Sequence, residues 1–281
     1  MSTEHAPTSI PLAGVIGSPI AHSKSPRLHQ YWLKKYGIAG FYVPLNVLPA
    51  DFEKVIRTMP SMGFVGANVT IPHKEAALHM ADIVTDRATL IGAANTLTFR
   101  ADGKIHADNT DGYGFMANLR AGAPDWTPDE GPAAIWGAGG AARAVIVSLL
   151  DAGVPEILLS NRTRARADKL KDDFGNRVRV VEWVQAGNMV EDATLLVNTT
   201  SLGMVGKPAL RVPLDGLTSK TTVTDLVYVP LQTELLATAQ AKGCCTVDGL
   251  GMLLHQGVPG FERWFGQTPE IDEGLRTTMI R

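Results

Sequence analysis

Lys74 lies in Ile71-Pro72-His73-Lys74-Glu75, directly after the apolar stretch Gly66-Ala67-Asn68-Val69-Thr70. Pro72 predicts a helix start there, which puts Lys74 in a first turn whose end is already partly positive. A solvated lysine tolerates such a place at a cost of about 0.3 kcal/mol. The alternative is a lysine stationed there to pass a proton, as acid–base catalysis requires. Upstream, Ile20-Ala21-His22-Ser23-Lys24-Ser25-Pro26 offers two hydroxyls in one polar loop. Ser25 before Pro26 reads as a helix N-cap with proline at the first helical position. Capping leaves Ser23 unexplained, and the pair could equally point into a cleft. Asp108-Asn109-Thr110-Asp111-Gly112 taken alone is a turn or a helix start, because Asn, Asp and Thr readily bond their own backbone.

The second chemical signal is Gly137-Ala138-Gly139-Gly140-Ala141-Ala142, preceded by Ala134-Ile135-Trp136 and followed by a helical pattern. Strand, glycine turn and helix is the context in which G-x-G-x-x-A means dinucleotide binding. The first glycine makes the turn, the second admits the pyrophosphate, and the helix N-terminus meets it with N–H groups. About twenty residues further on, where an NAD-binding unit places an acid for the ribose hydroxyl, stands Asn161-Arg162-Thr163-Arg164-Ala165-Arg166. Arginine's planar fork suits a phosphate, so the cofactor read from these residues is NADP. The alternative is a solvated basic helix start. Asn198-Thr199-Thr200-Ser201 follows another apolar strand at its C-terminal end, where open α/β sheets bind ligands. Tyr228 fits a packed tyrosine, and Gln256 on an apolar helix calls for a partner for its amide.

Elements to position these groups are readable from end to end. Apolar strands are predicted at 12–16, 41–47, 66–70, 97–100 and 104–107, with helices after Ser25, over 50–59 and from Pro72 to about Ile91. A helix over 113–119 leads to the glycine-rich strand, and about six strands with intervening helices follow to Asp248. The last helix of the pattern runs from Gly249 to Phe265. Alternation of strand and helix on both sides predicts two parallel sheets and an α/β fold. Residues 1–9 read as a disordered leader. At 281 residues, 45% hydrophobic and 19% charged, the chain is an ordinary globular one with room for two cores. A net charge of -2 gives no reason to expect nucleic acid or a membrane surface as partner. Its two cysteines, Cys244 and Cys245, are adjacent, which suits neither a disulfide nor zinc and favours a reducing compartment, with the cytoplasm as default. The histidines never fall at metal-ligand spacing, so no metal is expected.

Taken together, GSPIAHSKSP (17–26), NVTIPHK (68–74), GAANT (92–96), DNTDG (108–112), GAGGAARA (137–144), NRT (161–163), NTTSLGM (198–204), DLVYVP (225–230) and GLGMLLHQG (249–257) resemble the shikimate dehydrogenase family, in order and spacing, over nearly the whole chain. The resemblance implies a substrate domain of 1–114 completed by 249–281, and an NADP-binding Rossmann-type domain, a doubly wound parallel sheet, over 115–248. It implies reversible reduction of 3-dehydroshikimate to shikimate with NADPH, within aromatic amino-acid biosynthesis.

By the same resemblance Lys74 and Asp111 are the catalytic pair. Ser23, Ser25 and Tyr228 hold the substrate carboxylate, and Asn68, Thr70, Asn95 and Gln256 the ring hydroxyls. NADP contacts fall on Gly137, Ala138, Gly139, Gly140, Ala141, Asn161, Arg162, Thr163, Arg164, Arg166 and Thr199. Leu226 and Gly249 match positions near the nicotinamide, and Asp86 one also credited with cofactor contact. The chemistry agrees: a ketone receiving hydride needs a proton donor at the developing alkoxide. Rival readings are a quinate/shikimate or aminoshikimate dehydrogenase of the same superfamily, and an idle NADP-binding sensor. Monomer and homodimer both remain open.

Overall fold

The computed structural model describes residues 10–280. The leader expected over residues 1–9 lies outside the described residues. The chain divides into two compact units, one built from residues up to Thr110 and from Gln256 onward, the other from Asp111 to His255.

In the first unit the order is β1 (Leu12–Gly17), α1 (Ser25–Lys35), β2 (Phe41–Asn46), α2 (Phe52–Thr58), β3 (Phe64–Val69), α3 (Lys74–Met80), β4 (Ile83–Val84), α4 (Asp86–Ile91), β5 (Thr96–Phe99) and β6 (Ile105–Asp108). The strands form one sheet in the order β2-β1-β3-β5-β6-β4. It is mixed, not parallel as expected: β5 runs antiparallel to both β3 and β6, while the other pairings are parallel. The hairpin between β5 and β6 makes this so, since a short connection can only join antiparallel neighbours. Its core gathers Ile16, Phe52, Ile56, Met59, Val69, Leu97 and Ile105.

The helix expected from Pro72 to Ile91 is in fact two, with β4 between them. Ala81 turns extended, and Ile83 and Val84 pair with His106 and Ala107. Thr85 then caps α4, its hydroxyl accepting from the Ala88 N–H at 3.2 Å. The residue types account for the break: β-branched Ile83 and Val84 favour a strand, and Thr85-Asp86 is a good N-terminal start.

The second unit holds α5 (Asp111–Gly122), β7 (Ala133–Trp136), α6 (Gly140–Ala152), β8 (Ile157–Ser160), α7 (Arg164–Phe174), β9 (Val178–Val181), β10 (Leu195–Asn198), β11 (Thr222–Asp225), α8 (Glu234–Ala241) and β12 (Cys245–Val247). Here the sheet is parallel throughout, in the order β12-β11-β10-β7-β8-β9. The expected doubly wound sheet is thus present, its order reversing between β7 and β10. β7, β8 and β10 are buried along their whole length. Strands covered on both faces read as continuous apolar runs, and these do. On one face Phe115, Leu119, Val145, Leu149, Ile157 and Val197 form the core; on the other Trp136, Leu158, Leu196, Val223 and Leu236. α6 buries Ala142 and Ile146 besides Ala144, Val145 and Leu149, because it packs on α5 as well as on the sheet.

α9 (Leu250–Phe265) crosses the division between His255 and Gln256, and α10 (Glu273–Ile280) ends the first unit. Both cysteines are free, Cys244 buried and Cys245 exposed. Among the described residues no helix is long and apolar enough to cross a membrane, and no cluster of His, Cys, Asp and Glu is arranged to hold a metal ion.

Candidate active site

In the first unit the chemical residues stand at strand ends and helix starts. β1 ends at Gly17, and the loop to α1 carries both serines, each half-buried. α1 begins one residue earlier than expected: Ser25 is its first residue and Lys24 its cap position, which has no side-chain cap bond. Ser25 is therefore not the N-cap. Its backbone N–H instead points at the Ser23 hydroxyl at 3.3 Å, and Lys24 Nζ donates to the Met279 carbonyl at 2.8 Å. Both serine hydroxyls are thus free of the capping role that would have explained Ser25.

β3 delivers Asn68 and Thr70. The Thr70 N–H donates to Ile16 O at 2.9 Å, fixing this loop to the end of β1. Pro72 lies outside α3; the cap position is His73, and Lys74 is the first helical residue. Lys74 is half-buried, and its carbonyl accepts the Ala94 N–H at 2.9 Å. That bond ties the lysine to Gly92-Ala93-Ala94-Asn95-Thr96. His73 is buried beside it, its ring stacked on Phe52 at 4.5 Å and its Nε2 2.7 Å from Val47 O.

Asn95, Thr96 and Thr110 are buried together with polar groups facing one another. Asn95 Oδ1 accepts the Thr110 N–H at 2.8 Å, and the Thr110 hydroxyl donates to Gln256 O at 2.9 Å. The structure therefore brings Asn68, Asn95 and the Gln256 backbone into one hydrogen-bonded group. Asp86 is exposed in the first turn of α4.

Sequence reasoning missed two supports of this group. Asp108, fully buried, receives Arg263 Nη2 at 2.6 Å, the Thr85 hydroxyl at 2.8 Å and the Asn109 N–H at 2.7 Å, with Arg87 at 3.5 Å. Burial alone would raise its carboxyl, but Arg263, Thr85 and Arg87 outweigh that and hold it below the ordinary range. The other support is Tyr42, buried, with its hydroxyl 2.7 Å from Asn68 Oδ1 and the His29 ring stacked on it at 3.9 Å. Burial lowers the His29 ring's pKa to about 3, against a smaller opposing effect of Asn68, so it is a neutral packing group.

In the second unit Asp111 opens α5 and is buried. An acid in a first turn sits favourably against the helix dipole. Gly137 follows β7 with φ 108°, a left-handed conformation, and a Cβ there would meet Thr199 Oγ1 at 2.5 Å. Thr199 is held by its own N–H and hydroxyl, both donating to Trp136 O at 2.8 Å. A Cβ on Gly139 or Gly140 would meet nothing within 4 Å. The backbone there faces open space at the N-terminus of α6, which is the cradle a pyrophosphate needs.

Asn161 Nδ2 donates to Thr163 O at 2.7 Å and closes the loop after β8. The three arginines differ. Arg164 is engaged by Asp168 at 3.3 Å and by Glu182, whereas exposed Arg162 and Arg166 make no ion pair among the described residues. These features fit a 2′-phosphorylated dinucleotide.

At the end of β11, Asp225 is buried and accepts Asn198 Nδ2 at 2.9 Å, the Val227 N–H at 3.0 Å and the Thr233 hydroxyl at 2.7 Å. It locks the start of Leu226-Val227-Tyr228. Burial pushes the Tyr228 hydroxyl's pKa up. Gly249 lies against Leu226, where a Cβ would meet the Leu226 carbonyl oxygen at 2.4 Å. The two positions expected near the nicotinamide are therefore in contact, and only glycine fits.

Family comparison agrees with this arrangement. Residues 15–97 match the shikimate dehydrogenase substrate binding domain, 129–205 the shikimate/quinate 5-dehydrogenase model, and 249–277 the shikimate 5′-dehydrogenase C-terminal domain. A relative from Roseobacter denitrificans named shikimate dehydrogenase (NADP(+)) is 69% identical over 97% of this chain and 99% of its own. Among solved structures, a quinate dehydrogenase from Corynebacterium glutamicum in complex with NAD aligns with TM-score 0.89 and 32% identity, over 96% of this chain and 99% of that one. Shikimate 5-dehydrogenase from Thermus thermophilus in complex with NADP(H) and shikimate aligns with TM-score 0.83 and 37% identity, over 96% and 98%. Motifs, sheet order and near-full-length identity converge: the chain belongs to the shikimate dehydrogenase family.

Proposed function

We propose that this chain carries out the reversible, NADPH-dependent reduction of 3-dehydroshikimate to shikimate. The observation that carries the reading is the 69% identity, over 97% of the chain, to a relative named shikimate dehydrogenase (NADP(+)). In this reading the first unit, read from the sequence as 1–114 with 249–281, binds substrate, and the second, 115–248, binds NADP. The alkoxide that forms on the substrate takes its proton from Lys74, whose positive charge stabilises it beforehand. Asp111 is the other member of the catalytic pair. Ser23, Ser25 and Tyr228 donate to the substrate carboxylate. Asn68, Thr70, Asn95 and Gln256 meet the ring hydroxyls. Bound NADPH supplies the hydride; Gly137–Ala141 and Thr199 hold its pyrophosphate, and Asn161, Arg162, Thr163, Arg164 and Arg166 its 2′-phosphate. Leu226 and Gly249 border the nicotinamide, and Asp86 is a further cofactor contact. Action in the cytoplasm, as a monomer or homodimer, belongs to the same reading.

Initial rates with shikimate and quinate, each against NADP and NAD, test it. The reading expects shikimate with NADP to be the best pair by at least about tenfold in kcat/KM. Equal or greater kcat/KM with quinate and NAD would transfer the protein to the quinate-oxidising members.

A further inference from the structure

Asp225 ends β11 with a carboxylate that is 1% exposed and makes no ion pair among the described residues. Buried carboxylates are ordinarily paired with a cation, because an unpaired buried charge is costly. Here burial raises the carboxyl's pKa in spite of its hydrogen bonds, and every donor to it is neutral. Oδ1 accepts Asn198 Nδ2 at 2.9 Å and the Val227 N–H at 3.0 Å, and Oδ2 accepts the Thr233 hydroxyl at 2.7 Å. The three donors come from the end of β10, the loop after β11 and the cap position of α8. Asn198 and Thr233 are at most 1% exposed, so water does not compete for these bonds.

The loop that Asp225 serves is Leu226-Val227-Tyr228-Val229. Its ends are held by backbone bonds, the Leu226 N–H donating to Asn198 O at 3.0 Å and Val229 O accepting the Val205 N–H at 2.9 Å. Between them the N–H of buried Val227 turns back to Asp225 Oδ1, two residues upstream. A turn of this kind closes only on a short side chain that carries an acceptor. The carboxylate is itself held from behind. Asn198 Oδ1 is taken by the Thr200 N–H at 3.1 Å and the Thr200 hydroxyl at 2.8 Å, which commits the Asn198 amide nitrogen to Asp225 and, at 3.4 Å, to Leu202 O. We propose that Asp225 is a positioning residue for substrate binding: its carboxylate, held by Asn198 and Thr233, fixes the Val227 N–H and so sets where the adjacent Tyr228 presents its hydroxyl. The inference rests on the reading that Tyr228 binds the substrate carboxylate.

Asp225→Ala, Asp225→Glu and Asp225→Asn, assayed in the full chain with shikimate against NADP and NAD, test it. Asp225→Ala releases the Val227 N–H and should raise KM for shikimate about fivefold or more. The NADP-to-NAD ratio of kcat/KM should stay within about twofold of wild type, because the 2′-phosphate is read by the loop after β8. Asp225→Asn keeps an oxygen for Asn198 and Val227 and should hold KM for shikimate within about twofold of wild type. Asp225→Glu keeps the charge but is one methylene too long for the turn, so its KM should rise as in Asp225→Ala, and it carries the test if Asp225→Ala does not fold. An unchanged KM for shikimate in Asp225→Ala, or in Asp225→Glu where that variant stands in, overturns the proposal. An equal rise in Asp225→Asn also overturns it, since the charge and not the turn would then be what matters. A change in the NADP-to-NAD ratio as large as the rise in KM overturns it too, because the whole sheet would then have shifted. A wild-type protein that fails to oxidise shikimate would instead overturn the functional reading, and is seen before any variant is made.

Discussion

Arg263 Nη2 lies 2.6 Å from Asp108 Oδ2, joining the last turns of α9 to the residue that opens Asp108-Asn109-Thr110-Asp111. The carboxylate is fully buried, and Arg263 is its shortest charged partner. Removing one partner of a buried ion pair leaves the other uncompensated, at about 3 kcal/mol. Arg263→Met should therefore lower the melting temperature clearly, while the exposed pair of Arg57 with Glu53 should be nearly silent when Arg57 is replaced.

The same pair predicts a pH dependence. The folded value of Asp108 lies below its ordinary 3.8, because Arg263, Thr85 and Arg87 outweigh burial. A depressed carboxylate adds stability above its ordinary value and loses it as pH falls through the lowered folded value. Wild type should thus lose stability between about pH 4 and lower values more steeply than Asp108→Asn, as measured by melting temperature across acid buffers. Parallel curves for the two proteins would remove Asp108 from the acid transition.

Ser23 and Ser25 are free of a capping role at α1, and the proposed function assigns both hydroxyls to the substrate carboxylate. Each hydrogen bond to a carboxylate contributes about 1.5–3 kcal/mol. Ser23→Ala should weaken shikimate binding by at least about tenfold and leave KM for NADP alone. A lowered melting temperature with unchanged kinetics would show that Ser23 merely supports the loop, through its bond to the Ser25 N–H.

For cofactor choice the three arginines should separate. Arg164 is already engaged by Glu182 and Asp168, while Arg162 makes no ion pair among the described residues. Arg162→Ala should raise KM for NADP by about tenfold or more and leave that for NAD nearly unchanged. Arg164→Ala should change the NADP-to-NAD ratio less. Equal losses with both cofactors in Arg162→Ala would mean that the arginine supports the loop and does not read the phosphate.

Much of this architecture is legible in the sequence because it is written in local chemistry. Gly137 to Ala142 after an apolar strand announces its own turn and helix, and the strands at 157–160 and 195–198 each open on three apolar residues in a row. The family likewise follows from short motifs at strand ends. What escaped is non-local. Arg263 meets Asp108 across 155 residues, and nothing around either one signals the other. Thr96 and Tyr42 look like ordinary strand residues, and only the packing of β2, β3 and β5 shows their hydroxyls in one chain of bonds. The antiparallel β5 was hidden too, since a strand's direction is set by its neighbours. By contrast the break at Ala81 was readable: Thr85-Asp86 is a helix start inside the stretch expected to be one helix.

Lys74 at the start of α3 bears the central claim, that this chain protonates a substrate oxygen as hydride arrives. The direct measurement is the kcat of Lys74→Ala for shikimate oxidation with NADP, beside KM for both substrates and the melting temperature. A residue acting mainly in the transition state should lower kcat by at least about a hundredfold with little change in either KM or in stability. A folded variant that keeps more than about a tenth of wild-type kcat would contradict the account.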